Sequence, residues 1–273
     1  MTTEGVVSAQ VSSKPGDRRN PLAQAQKADR NRKIFIQVAV AAVLVGLVAA
    51  IGIGLAMRKS DDNKDKPAAT SGFAPAVTHD ASAGAVPPNV TAGGAIVIGN
   101  PSSKVKVQVV ADLQCPACQM FEKSNTDALA AAAQKGDAVV EYNIISFLDR
   151  ASNGNKYSTR AANAAYVVAA SDPSKFQNWL GTMYAKQPAE NGNGMTDDQL
   201  IQIATDAGYT DPSVAADIKS GKYIGYVGDE TKAVFATGLQ STPTVYVNGT
   251  QVQDPKALMT TGGMTSVIAN AAK

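Results

Sequence analysis

The chain holds only two cysteines and one histidine in 273 residues. So few thiols exclude a small disulfide-stapled scaffold, and so few soft ligands argue against a zinc site made of protein side chains. Aromatic residues are scarce at 5%, with a single Trp, so the core has to be built from small aliphatic side chains around helices. Charge of one sign is missing too. A net charge of +2 is far from the dense basic face that a nucleic-acid-binding domain carries, and no nucleic-acid partner is expected. Hydrophobic residues at 44% and charged residues at 18% exclude a chain disordered throughout.

The small net charge hides a split. Residues 1–33 hold seven bases and three acids and show no hydrophobic period, which reads as a disordered tail. Residues 34–57 then run uncharged for 24 positions, with Gln37 the only strongly polar side chain. As a helix this run measures about 36 Å, enough to cross a bilayer with some tilt. It is longer than the apolar stretch of a signal peptide and the basic segment before it is long, which favours an uncleaved anchor. The basic flank places the tail in the cytoplasm and everything after residue 57 outside, so a single-pass cell-membrane protein with an extracytoplasmic domain is expected. Residues 58–93, rich in Pro, Ala, Ser and Gly, read as a linker, and His79 within it as a solvated residue. The remaining stretch, residues 67–273, carries 14 bases and 17 acids and is mildly acidic.

Periodic structure fills residues 94–273. Residues 95–98 and the alternating run 104–111 read as strands, residues 119–134 as a helix ending near Gly136, and residues 138–147 as a third strand. A helical block follows over about residues 150–238. Within it Phe176, Leu180 and Met183 form a stripe, Thr196 and Gln199 a capping box, and Asp211-Pro212 another helix start. Residues 244–247 and 250–253 flank Asn248-Gly249, the strongest short hairpin signal, and Asp254-Pro255 opens a final helix. Without the block the order is β-α-β then β-β-α, which predicts an α/β thioredoxin fold with a helical insertion.

One constellation is reactive. Cys115-Pro116-Ala117-Cys118 follows a strand and opens a helix. Pro116 suits the first helical position, where a missing N–H costs nothing, and that makes Cys115 the N-cap residue. There it faces unpaired N–H groups and the positive end of the helix dipole, which favour a thiolate. Cys118, one turn on, is the resolving thiol. A purely structural bridge closing so short a loop would stabilise weakly, and a metal would lack further ligands. Two inert thiols leave the spacing unexplained, so redox chemistry is the reading. No cofactor is expected beyond the Cys115–Cys118 disulfide, and no metal. Asp112 and Gln114 read as polar turn and cap residues, Met120 and Phe121 as core or groove wall, and Glu141 as an acid that could lie near.

The CPAC motif, the helix after it, the insertion and Ser241-Thr242-Pro243-Thr244 before a strand together resemble the DsbA-type thiol–disulfide oxidoreductases, in their membrane-anchored actinobacterial form. The stretches SFLDRASNGNKYSTRAANAA and MTDDQL add to the likeness. The resemblance implies a cis peptide bond between Thr242 and Pro243 beside the cysteines, a bond that sequence alone leaves equally open to trans. It also implies that the Thr242 backbone pairs with an incoming peptide. The activity implied is introduction of disulfides into exported, unfolded proteins, with a membrane DsbB-like or vitamin K epoxide reductase-like protein reoxidising the pair, and a monomer. A reductase or isomerase of the same fold, or a non-catalytic tethered holdase, are the alternatives. Two departures stand out. The His that many oxidising members place between the cysteines is absent, and so is the second cysteine pair of some actinobacterial relatives. Loss of one hydrogen bond to a charged sulfur, about 1.5–3 kcal/mol, is small beside the roughly 7 kcal/mol that separates thioredoxin from DsbA. An oxidant of intermediate strength is therefore expected.

Overall fold

The structure, a computed structural model, describes residues 77–79 and 84–273. They belong to the second of two compact units, Ala69–Lys273. The tail and the apolar run expected as a membrane anchor lie outside the described residues. Among the described residues no helix is long and apolar enough to cross a membrane.

The chain runs β1 (Ile96–Ile98), β2 (Val105–Ala111), α1 (Pro116–Lys135), β3 (Ala138–Ile144), α2 (Tyr157–Ser171), α3 (Phe176–Ala185), α4 (Asp197–Asp206), α5 (Pro212–Ser220), α6 (Ile224–Ala236), β4 (Thr244–Val247), β5 (Thr250–Gln251), α7 (Pro255–Met259) and α8 (Met264–Ala271). The sheet order is β1-β3-β2-β4-β5. Strands β2 and β3 are parallel, joined by α1, and every other neighbouring pair is antiparallel. The two central strands are buried along nearly their whole length, with Lys106 the one exposed residue, and Val105, Val107, Val109, Val139 and Val140 supply much of the core there. Helix α1 packs on β3 and α8 on β2 and β4, while α2 to α6 form the insertion. This is the thioredoxin arrangement with the helical block between β3 and β4.

Local chemistry sets the ends of the elements. Thr196 and Gln199 form both bonds of the capping box, and Asp211 caps α5 through Ser213 N at 2.8 Å. Asn248 and Gly249 both take positive φ, 49° and 80°, as the tight hairpin requires. The Asn248 side chain also accepts from Lys106 N at 2.8 Å, pinning the turn to the start of β2.

Three expectations change. Strand β3 stops at Ile144, three residues short, because side chains capture the next donors. Ser146 N donates to Thr231 Oγ1 at 3.1 Å and Leu148 N to Asp112 Oδ2 at 2.8 Å. The final helix is two helices, broken at Gly262-Gly263. A Cβ on Gly263 would sit 2.5 Å from Ala257 O, and buried Asn125 of α1 bonds both halves through Leu258 O and Met264 N. His79 is not solvated: its side chain is 5% exposed, bonded to Asp229 of α6 at 2.9 Å and to Gly84 O at 3.1 Å, with its ring against Tyr226. The end of the stretch expected as linker thus lies on the domain, where Val77 N also donates to Ala92 O.

One buried polar chain ties sheet to insertion and gave no sign in the sequence. Gln108 donates to Asn143, Asn143 donates to Glu230, and the Tyr166 hydroxyl bonds both Glu230 and Gly94 O. Burial holds the Glu230 carboxyl well above the usual carboxylate range.

Candidate active site

The parallel strands deliver the chain to the site. Strand β2 ends at Ala111, and three residues later Cys115 takes an extended conformation (φ −77°, ψ 119°) as the N-cap of α1, with Pro116 in the first turn. Pro116 is exposed and Ala117 half-buried, and Ala117 brings no side-chain donor toward the sulfur. The two thiols are free, Cys115 at 7% exposure and Cys118 at 1%. Thr242 and Pro243, from the loop before β4, lie alongside. Their peptide bond is cis, and Cys115 Sγ is 3.3 Å from Thr242 O.

These neighbours separate the two sulfurs electrostatically. The Cys118 thiol donating to Cys115 is the largest influence on it. Burial opposes this, while the Thr242 hydroxyl and the N–H groups of Cys118 and Ala117 add support, and the Cys115 thiol falls to about 6. Cys118 moves the other way, well above its ordinary value, first through burial and then through the adjacent Cys115. A sulfur ionised at neutral pH on the rim and a protonated one beneath it can attack and resolve a disulfide in turn.

Asp112 builds the turn that holds this geometry. Its buried carboxylate accepts from Gln114 N at 2.7 Å, Leu148 N at 2.8 Å and Ser158 Oγ at 2.9 Å, and its carbonyl from Cys115 N at 3.1 Å. Burial nevertheless lifts its pKa to about 6. Gln114 continues the turn by donating to Ala151 O at 2.7 Å. Both are thus turn and capping residues, as read. Asp112→Ala strands two buried backbone donors, each costing roughly 1–3 kcal/mol. We expect about 3 kcal/mol less stability in urea unfolding, and clearly less loss in Asp112→Asn, which keeps one acceptor.

Gln187, in the loop after α3, donates to Leu113 O at 3.0 Å and Cys115 O at 3.1 Å, so the insertion reaches back to clamp the motif. Sequence reasoning missed it, because nothing local marks a loop glutamine whose partners lie more than 70 positions away. Phe121 is core, Met120 is 53% exposed, and Glu141 pairs with Lys106 at 2.8 Å. Among the described residues no group of three or more His, Cys, Asp or Glu could hold a metal ion.

Comparison with known proteins matches this architecture. The thioredoxin family pattern covers residues 91–264. Reduced DsbG from Mycobacterium tuberculosis is 32% identical, with a TM-score of 0.55 over 66% of this chain and 93% of that one. Reduced DsbA from Mycobacterium tuberculosis is also 32% identical, with a TM-score of 0.54 over 65% and 98%. The thiol–disulfide oxidoreductase MdbA of Actinomyces oris shares the fold at 22% identity, with a TM-score of 0.58 over 68% and 90%. Among curated proteins, the serine/threonine-protein kinase PknE of Mycobacterium tuberculosis is 30% identical over 175 residues, 60% of this chain. The chain spans only about 30% of the length of the curated relatives it matches. Fold, family pattern and likeness to the mycobacterial structures agree: the chain belongs to the thioredoxin family, among its DsbA-type thiol–disulfide oxidoreductases.

Proposed function

We propose that this protein introduces disulfide bonds into exported proteins from the outer face of the cell membrane, held there by residues 34–57. The observation that carries the reading is the Cys115 sulfur, poised at the tip of α1 with its thiol near 6, above a buried and protonated Cys118 and 3.3 Å from Thr242 O. Cys115 and Cys118 are the exchanging pair, and Pro116 and Ala117 shape the turn between them. A substrate thiolate attacks Cys115 Sγ of the oxidised pair. The Cys115–Cys118 bond breaks toward Cys118, and a mixed disulfide forms on Cys115. A second substrate thiolate then attacks the substrate sulfur of that bond, and Cys115 leaves as a stable thiolate. Thr242 and Pro243 line the path of the incoming chain, and the backbone of that loop offers it strand-like pairing. The reduced pair passes its two electrons to a membrane protein of the DsbB-like or vitamin K epoxide reductase-like kind.

A thiol near 6 lies between thioredoxin, about 7, and DsbA, about 3.5. A more stable thiolate favours the reduced form and makes the disulfide more oxidising. Equilibration of the protein with a graded glutathione redox buffer is expected to give a potential between about −270 mV and −120 mV. A value at or below thioredoxin's would reverse the direction and make the protein a reductase.

A further inference from the structure

Cys115 presents its sulfur to α1 only while its backbone stays extended. A tight turn precedes it, closed by Cys115 N donating to Asp112 O at 3.1 Å, and the helix follows at once. An N-cap side chain reaches the free N–H groups of the first turn because its ψ lies outside the helical range. Pro116 keeps Cys115 in the extended region, but over a span of about 40° in ψ. The bond from Gln119 N to Cys115 O at 3.1 Å is the ordinary helix bond and does not select one ψ within that span. A swing of this size is enough to carry the sulfur off the helix tip.

Gln187 supplies the further restraint. Its side-chain amide has two N–H groups, and they go to Leu113 O at 3.0 Å and Cys115 O at 3.1 Å. One carbonyl lies within the turn before Cys115 and the other is its own, so the bridge ties the two sides of the reactive residue together. The amide is itself anchored. Gln187 N donates to Tyr184 O at 3.2 Å, and the same carbonyl takes Gln119 Nε2 of α1 at 2.6 Å. The Tyr184 hydroxyl donates to Asp112 O at 3.3 Å, at the start of the turn. Gln187 is half-buried and carries no charge, so it acts on the sulfur through placement rather than through a field.

We infer that Gln187 is a positioning residue for the exchange reaction, its bridge between Leu113 O and Cys115 O holding the Cys115 sulfur against the N–H groups that share its charge. The inference rests on the exchange reading above. Cys115 leaves the mixed disulfide as a thiolate, and the N–H groups of Ala117 and Cys118 meet that charge only where the turn places it. The loop between α3 and α4 thereby sets, from the insertion, how readily the disulfide opens and re-forms.

The test compares full-length wild type, in mild detergent, with Gln187→Met, which keeps the length of the side chain and removes both donors. In the reduced proteins the ultraviolet thiolate midpoint is expected to rise from about 6 to about 6.5 in Gln187→Met. In glutathione equilibration at pH 8 the variant is expected to be about threefold less oxidising, a potential about 15 mV lower. Asn155→Ala removes the bond from Asn155 Nδ2 to Asn193 O at 3.2 Å and loosens the same loop without touching the motif. Its midpoint and potential are expected to match the wild type. A merely structural Gln187 would lower stability in urea and leave midpoint and potential unchanged. That result, or an equal shift in Asn155→Ala, overturns the positioning role and leaves exchange intact. A wild-type pair that glutathione neither opens nor closes overturns the exchange reading and the positioning role with it.

Discussion

Incubated with a disulfide-bonded peptide, the reduced Cys118→Ala protein is expected to accumulate a stable mixed disulfide on Cys115. The Cys115→Ser protein is expected to form none. The difference follows from placement. Cys115 is the ionised sulfur at the tip of α1, whereas Cys118 is 1% exposed and held protonated. With Cys118 gone, no internal thiol within reach can resolve the adduct, so it persists. With Cys115 gone, the remaining sulfur neither meets the peptide nor attacks it. In oxidative refolding of a reduced, unfolded protein, both variants should fall to the uncatalysed background. Mass mapping of the adduct checks the assignment. Equal labelling of Cys118 in Cys115→Ser would reverse the roles, and full refolding activity in Cys115→Ser would favour the tethered holdase over an enzyme.

The second large effect is in pH dependence. Ultraviolet absorbance of the thiolate in the reduced protein is expected to titrate with a midpoint near 6. Cys118→Ala should move that midpoint up the most, because the Cys118 thiol is the largest influence, and Thr242→Val should move it less. The sign for stability follows. A thiol whose pKa is lowered on folding stabilises the folded state fully above the unfolded value of about 9, and that contribution is lost as pH falls toward 6. At most it is about 4 kcal/mol, and solvent screening at a sulfur on the rim reduces it to about 2 kcal/mol. Reduced wild type minus Cys115→Ser, each unfolded in urea at pH 8.5 and 5.5, isolates it. The buried acids Asp112 and Glu122, whose values are raised and whose pH dependence therefore has the opposite sign, are common to both chains and cancel, apart from the small part of the Asp112 shift that comes from the Cys115 charge. A midpoint near 9 would remove the basis for ready exchange at this sulfur.

What could be read from the sequence was what local rules determine. Val-rich runs, the capping box at Thr196, the Asn248-Gly249 turn and the proline after Cys115 each fix backbone within a few residues, so the succession of elements along the chain, the hairpin and the helix start were all visible. The parts that escaped depend on long-range pairing. Gln187 meets the cysteine loop only because α3 folds back over α1. Glu230 finds Asn143 across 87 positions, and His79 finds Asp229 across 150. The break between α7 and α8 has local glycines, but its reason is the remote Asn125. Glu122 carries no local mark that sets it apart from other helix charges. Only the packing around it shows that it is buried.

The turn built on Asp112 has a consequence for how the molecule opens. One carboxylate receives amide hydrogens from the end of β2 and from the loop after β3, together with a hydroxyl from the first insertion helix. In deuterated solvent the amides of Gln114 and Leu148 should therefore exchange together, as one cooperative unit. Any partner that pried the insertion away from the sheet would unlock both, and the loop presenting the reactive sulfur would loosen with them.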